Sequence, residues 1–361
     1  MRMPRLIFAA TILLGSCAAT ATDAAQHTDH LMRKYAGDVP GASLLVLKDG
    51  KPLVRRGYGM ANMEQHIAAT PATDYRLASV SKQFTAAAIL LLAEDGKLKL
   101  DDSIRHWLPS LPGLADKVTL RELLSHTGGL IDYEELIPPG TTGQLDDQDV
   151  LRMLSATSKS YFAPGTAYRY SNTGYVLLGL VVEKASGESL PAFMQQRIFK
   201  PLHMDHTLMY VRGGPEVMNR AYGYSEEGGH WKRTDQSVTS ATLGDGGIYS
   251  SIDDLARWDA ALYDDRLLSD ASRKLAFSPQ VQVTGEPYQA GYGFGWRITG
   301  DTLWHSGETI GFRNVIVRWP AQRLTVVLLS NRNDPEPYRT ALAIGALFMH
   351  GTDAQEAGTP R

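Results

Sequence analysis

The chain has 361 residues, 43% of them hydrophobic and 21% charged, with a formal net charge of -3. That length carries one large domain or two ordinary ones, and the composition is that of a folded soluble protein. The small net charge, with no long run of one sign, gives no electrostatic case for nucleic acid or an anionic membrane surface as a partner.

The first residues, MRMPRLIFAATILLGSCAAT, set Arg2 and Arg5 before an apolar stretch from Leu6 to Leu14 and then small residues. That is the layout of a secretory signal, and the apolar run is too short to span a bilayer. The bland alternative is a short buried helix. Cys17 is the only cysteine. Leu14-Gly15-Ser16-Cys17 resembles a bacterial lipobox, in which the cysteine is lipidated, while Ala19-Thr20-Ala21 offers an ordinary cleavage site. The chain is therefore expected to be exported, either periplasmic or lipid-anchored in the bacterial cell envelope, touching the membrane only through Cys17. The folded part has no cysteine, which excludes disulfides and thiolate metal sites. Residues 1–25 are expected to be signal plus spacer, with AATATDAAQ (18–26) flexible. Residues 26–350 form the domain, and 351–361 are a flexible tail.

GASLLVLKDGKPLVRRGYGM predicts two strands joined at Asp49-Gly50, a hairpin turn. A helix is expected from near Ser79 to a stop at Asp95-Gly96. Helical patches follow in VTLRELLSH, DQDVLRMLSA, NTGYVLLGLVVEKASG, LPAFMQQRIF and SIDDLARWDAALY. Ser251 can cap the last of these, with Asp254 at its third helical position. Strand patterns return in GYGFGWRIT, DTLWHSG, FRNVIVRWP and RLTVVLLSN, the last two flanking a turn at Ala321-Gln322. A helix near 336–350 closes the chain. The expected class is α+β: one antiparallel sheet built from both ends (about 28–76 and 288–350), flanked by helices, with a mostly helical part (about 77–287) inserted. A cleft is expected where the two meet.

In LASVSKQFTAAAIL, Lys82 lies one helical turn from Ser79 on the same face. Serine is a weak nucleophile unless a neighbouring base takes its proton. A lysine is that base only when its pKa is lowered, and burial among Ala86 to Leu92 does this. A helix N-terminus also favours negative charge developing at Ser79. The alternative is ordinary capping, since Ser-x-x-Lys is expected about once by chance in a chain this long. In PGTAYRYSNTGY, Tyr170 and Asn172 follow a Pro164-Gly165 turn. A phenol near a lysine can share its proton, and an asparagine two residues on can hold a substrate amide. A half-buried aromatic and a helix cap are the alternatives. In Trp304-His305-Ser306-Gly307-Glu308, glycine on a strand edge lets a substrate lie close to backbone. The Glu308 N–H can join that of Ser79 as an oxyanion donor; a polar strand end is the alternative.

In this order, Ser-x-x-Lys, Tyr-x-Asn and His-x-Gly resemble the serine β-lactamase and penicillin-binding-protein superfamily. The Tyr-x-Asn form resembles its class C branch, with its esterases, DD-peptidases and D-aminopeptidases. The similarity spans roughly 28–348, and LRELLSHTGGL, PGTAYRYSNTGY and GGIYSSIDDLARW carry it outside the catalytic motifs. The resemblance implies a secreted serine hydrolase working through an acyl-enzyme. Ser79 would be the nucleophile, Lys82 its activator, and Tyr170 the proton relay that also activates the deacylating water. Asn172, His305, Ser306 and Gly307 would bind substrate, and the backbone N–H groups of Ser79 and Glu308 would form the oxyanion hole. No metal or organic cofactor is implied. The partner is a small-molecule or short-peptide substrate.

The superfamily's β-lactamases usually start the third motif with lysine; here it is His305. A histidine of pKa ~6.5 is mostly neutral at pH 7, so its attraction for a carboxylate is weaker. Glu308 opposes it further if its side chain faces the cleft, and Arg313 is a candidate to compensate. Esters, amides and D-residue peptides are expected ahead of β-lactams. A true class C-type β-lactamase or a penicillin-binding DD-carboxypeptidase is the alternative. An inactive ligand-binding module is another, against which the intact Ser79, Lys82 and Tyr170 argue. Specificity is expected to rest on the loops Ile131–Asp147 and Tyr222–Gln236. His126 in LSHTGGL is expected to be structural. Gly291, Gly293 and Gly295 lack a following helix and so form no nucleotide loop. With no HExxH, Walker loop or Gly-x-Ser-x-Gly, zinc proteases, NTPases and α/β-hydrolases lose support.

Overall fold

Asp49 (φ 52°) and Gly50 (φ 73°) join strand β1 (Ala42–Lys48) to β2 (Lys51–Tyr58), with Lys48 opposite Lys51. Two left-handed residues in a two-residue loop match the twist of a hairpin, as Asp-Gly predicts. The computed structural model describes residues 15–283, 290–334 and 336–349. The apolar run Leu6–Leu14 and the tail 351–361 lie outside the described residues.

Six later strands complete one sheet: β3 (Val281–Val283), β4 (Ala290–Tyr292), β5 (Arg297–Thr299), β6 (Thr302–Thr309), β7 (Phe312–Trp319) and β8 (Leu324–Ser330). The order is β3-β4-β5-β6-β7-β8-β1-β2, antiparallel throughout. The sheet is thus built from both ends of the chain, and the class is α+β. The intervening stretch carries helices α2 (Lys82–Glu94), α3 (Leu120–Leu124), α4 (Asp147–Ser155), α5 (Asn172–Ser186) and α6 (Ile252–Ala261). α3 and α4 start on capping boxes, Thr119 with Glu122 and Asp146 with Asp149. Ser251 caps α6 from its side chain to the Asp254 N–H, as expected. α5 stops at Gly187 (φ 78°).

Strand alternation divides the core in two. Leu45, Leu47, Ile316 and Val327 face the inserted helices and pack with Phe84 and Trp258. Leu44, Val46, Val317 and Val326 face the other way, under Met32 of helix α1 (Gly15–Met32) and Tyr338 and Ile344 of helix α7 (Tyr338–Met349).

Four expectations need correction. Residues 18–26, expected to be a flexible spacer, lie within α1; five alanines in nine residues carry high helix propensity. GYGFGWRIT is two strands, not one, because Gly295 (φ 77°) turns the chain back so that β4 pairs with β5. The sheet's second contribution begins at Val281 rather than near 288. The inserted part and the residues just before it also hold short strands, Tyr75–Arg76 and Leu208–Met209 on either side of Ile248–Ser250, and the hairpin Tyr224–Glu227 with His230–Arg233. These segments are too short and irregular to read from period alone.

Candidate active site

Ser79 lies in a tight 3-10 turn, Ala78–Ser81, that runs into α2. Its neighbour Ala78 holds φ 50°, a left-handed conformation that a residue with a Cβ adopts at a cost. The turn is pinned by Leu77 N–H to Ile248 O at 2.8 Å and by Ile248 N–H to Ser81 Oγ at 3.3 Å. α2 is buried from Lys82 to Leu92, as a helix apolar on every side requires. Phe84 packs on Trp258 with centroids 4.1 Å apart, and the Trp258 Nε1–H donates to Gln83 Oε1 at 3.0 Å.

Lys82 is fully buried. Its Nζ donates to Ser79 Oγ at 3.1 Å, Asn172 Oδ1 at 2.7 Å and Asp245 O at 2.9 Å. The structure thus brings together the two halves of the first motif and the end of the second. Tyr170 stands alongside, its ring centroid 5.1 Å from Lys82 Nζ. The phenol oxygen is buried and has no hydrogen-bond partner, a common state for a catalytic group before substrate arrives. Asn172 passes the contact on, its Nδ2–H donating to Glu134 Oε1 at 2.8 Å. Burial and the nearby carboxylates of Asp132 and Asp245 push the Glu134 carboxyl up. Asp132 caps α5 from outside the helix, accepting from Asn172 N–H at 2.7 Å and Ser171 Oγ at 2.7 Å.

The third motif is placed differently from expectation. His305 is 2% exposed, and its Nδ1 lies 2.6 Å from Ser306 O and its Nε2 3.0 Å from Tyr292 OH. A carbonyl only accepts, so Nδ1 carries the proton and Nε2 accepts from the phenol. Burial and the nearby Arg297 hold His305 well below the usual histidine range, so the ring is neutral. His305 therefore backs the site as a filled, hydrogen-bonded wall and does not present a nitrogen to substrate, because an uncharged ring satisfied on both sides is stable there. Ser306 shares the far face of β6 with Trp304, which packs toward α7, so its hydroxyl also points away from Ser79. Gly307 fits closely: a Cβ there would stand 2.0 Å from Leu77 O. Only glycine lets β6 close on the Ser79 turn.

β5 pairs with Thr302–Trp304 alone, which leaves 305–309 of β6 without a strand on that edge among the described residues. Thr309 and Phe312 close a two-residue hairpin with β7, so ladder alternation turns the Glu308 N–H to the open edge. Its carboxylate pairs with Arg313 at 3.4 Å. His126 (φ 59°), expected to be structural, is buried: its Nδ1 accepts from Ser171 N–H at 3.3 Å, its Nε2 has no hydrogen-bond partner, and its ring packs 4.3 Å from Tyr170. Burial and the nearby Lys82 hold it well below the usual histidine range.

A cleft opens over Ser79 and is lined also by Arg76, Glu134, Asn172, Asp245 and Glu308. Arg76, Glu134 and Asp245 carry no motif in the sequence and were not foreseen. Glu134 at least lies in the first loop expected to set specificity. Among the described residues, no three His, Cys, Asp or Glu side chains cluster in a way that could hold a metal ion.

A family model described as Beta-lactamase matches residues 24–348. Penicillin-binding protein 4* of Bacillus subtilis is 36% identical over 336 residues, 87% of this chain and 74% of that protein. Protein flp of Staphylococcus aureus is 28% identical over 319 residues; the chain spans 84% of itself and only 62% of that protein's length. The solved structure of EstCE1, described as a hydrolase with promiscuous acyltransferase activity, superposes with a TM-score of 0.75 at 25% identity, covering 92% of this chain and 98% of that one.

Proposed function

The chain belongs to the beta-lactamase family, and from that premise we propose that it is an exported serine hydrolase that cleaves esters, amides or D-residue peptides through an acyl-enzyme on Ser79. One observation carries the reading: Lys82 Nζ, buried, sits between Ser79 Oγ and Asn172 Oδ1. Export rests on the charged, apolar and small-residue order of the first residues.

In the first step Ser79 Oγ attacks the substrate carbonyl and its proton passes to the Lys82–Tyr170 pair. The backbone N–H groups of Ser79 and Glu308 hold the oxyanion. The alcohol or amine leaves with the proton that the pair received, and Ser79 carries the acyl group. Water then attacks, Tyr170 takes its proton, and the acid departs as Ser79 Oγ is reprotonated. A neutral, buried His305 supplies no cation for the carboxylate of a β-lactam, which supports esters, amides and D-residue peptides ahead of β-lactams.

The test is a panel of short and long p-nitrophenyl esters, D-amino acid anilides, D-Ala-D-Ala peptides and nitrocefin on wild type and Ser79→Ala. Turnover of an ester, anilide or peptide that disappears in Ser79→Ala is the expected result. Nitrocefin hydrolysis near the diffusion-limited range would overturn the choice of substrate, and turnover unchanged in Ser79→Ala would overturn the mechanism.

A further inference from the structure

Lys82 can take the proton of Ser79 only as a neutral amine, which has two N–H donors and one lone pair. Three groups surround its Nζ: Ser79 Oγ at 3.1 Å, Asn172 Oδ1 at 2.7 Å and Asp245 O at 2.9 Å. The Asp245 carbonyl only accepts, so it holds one N–H. The direction of the lone pair then depends on Asn172, whose amide presents either an acceptor or a donor. With Oδ1 towards Lys82, the amide holds the second N–H, and the lone pair is left for the Ser79 hydroxyl. The Ser79 O–H bond can then break as a new N–H bond forms on Lys82. With the amide reversed, its nitrogen would donate to that lone pair, and Ser79 would lose its base.

Asn172 is the first residue of α5, and two acidic side chains of one short loop decide which way its amide faces. Glu134 Oε1 accepts from Asn172 Nδ2–H at 2.8 Å. An ionised carboxylate only accepts, so it selects the nitrogen and turns Oδ1 to Lys82. Asp132 fixes the frame around this contact. Its Oδ2 accepts from the Asn172 backbone N–H at 2.7 Å and from the Ser171 hydroxyl at 2.7 Å, and its Oδ1 accepts from the Glu134 backbone N–H at 3.0 Å. The Asp132 N–H in turn donates to Tyr161 OH at 2.9 Å. Asp132, Glu134 and Asn172 thus close a ring of hydrogen bonds that one orientation of the amide satisfies. We propose that Glu134 and Asp132 are positioning residues: they lock the Asn172 amide and, through it, aim the lone pair of Lys82 at Ser79. The inference rests on the reading of Ser79 as the nucleophile and Lys82 as its base.

The test exchanges donor and acceptor and reads kcat/KM for p-nitrophenyl acetate together with the rate of Ser79 labelling by a fluorophosphonate. Asn172→Asp sets a carboxylate against Glu134 and is expected to lower both rates about 100-fold. The double variant Asn172→Asp/Glu134→Gln restores one donor and one acceptor with their places exchanged. It is expected to recover at least about 10-fold over Asn172→Asp alone. Asn172→Asp/Glu134→Met relieves the repulsion without supplying a donor, and should stay at least about 5-fold slower than the exchanged pair. Losses that simply multiply in the exchanged pair, or equal recovery with Gln and Met, overturn the lock. If Asn172→Asp does not fold, the single variants decide. Glu134→Met removes the acceptor and should cost about 10–100-fold, while Glu134→Gln keeps an acceptor oxygen and should cost about 3–10-fold. Equal losses there also overturn the lock. Asp132→Asn should cost about 10-fold in wild type but less than about 2-fold in Asn172→Ala, which has no amide to orient. An equal loss in both backgrounds overturns the role of Asp132. Wild-type Ser79 that takes no label overturns the nucleophile itself, whereas a labelled serine without the exchange effect overturns the lock alone.

Discussion

Arg318 and Arg76 are both buried near an aspartate, and only the first is bonded to it. Arg318 Nε meets Asp259 Oδ1 at 2.6 Å, and Thr325 Oγ1–H donates to the same carboxylate oxygen at 2.8 Å. The guanidinium lies 4.5 Å from the Tyr263 ring. Between the sheet and α6, Arg318 and Asp259 are therefore paired, as buried opposite charges require. Arg76 and Asp245 are buried to a similar degree yet remain unjoined. The difference separates two regions: the Arg318–Asp259 contact is closed by hydrogen bonds, while Arg76 and Asp245 beside the cleft are joined by none.

Changes on the cleft side should damage chemistry, and changes on the core side should damage the fold. The largest effect is expected from Ser79→Ala. It should lower kcat/KM at least ~10⁴-fold, about 5 kcal/mol, with a melting temperature unchanged within a few degrees. Ester turnover and calorimetry check it. Next, Arg318→Met should cost ~3–5 kcal/mol in urea unfolding, because it strands Asp259. Arg76→Met should change stability by no more than ~1 kcal/mol, since it strands no partner that Arg76 was bonding. Equal losses in the two variants would break the comparison.

Asp74, two residues before Arg76, is another buried carboxyl and sharpens it. Burial and nearby Asp254 push its carboxyl up to about 7 from an ordinary 3.8. A raised carboxyl pKa means the folded state holds the proton more tightly than the unfolded chain. Stability is then greatest below pH 4, falls as pH rises towards 7, and stays low above it. Asp74→Asn should remove that decline, which is on the order of 4 kcal/mol. Chemical denaturation at pH 5 and pH 8 measures it, and identical slopes in both proteins would contradict the assignment. A smaller loss than that of Arg318→Met is expected at the contact between the two regions. Gly307→Ala must push β6 off Leu77 O and should cost ~1–3 kcal/mol. Activity should fall with it, because the same strand carries the Glu308 N–H.

How much of this was legible in the sequence depended on whether the signal was local. Asp49-Gly50, the Ser251 cap and the Gly187 stop are set by neighbours within a few residues, so their chemistry is visible along the chain. The order of the three motifs marked Ser79, Lys82, Tyr170 and Asn172 as one site. Arg76 and Asp245 stayed hidden because no motif carries them and only the fold brings them to the cleft. His305 was legible as neutral but not as a wall, since its role is fixed by Tyr292, a residue of a strand that Gly295 folds back beside it. The 18–26 segment misled because small residues suit both a spacer and a helix.

The central claim is that Ser79 is the residue that carries the acyl group. Intact-protein and peptide mass spectrometry after exposure to a fluorophosphonate, and to a slowly deacylating ester in Tyr170→Phe, tests it directly. The account predicts a single adduct on the peptide containing Ser79, formed in wild type and absent from Ser79→Ala. An adduct on any other residue, or wild-type protein that turns over ester while Ser79 stays unmodified, would contradict it.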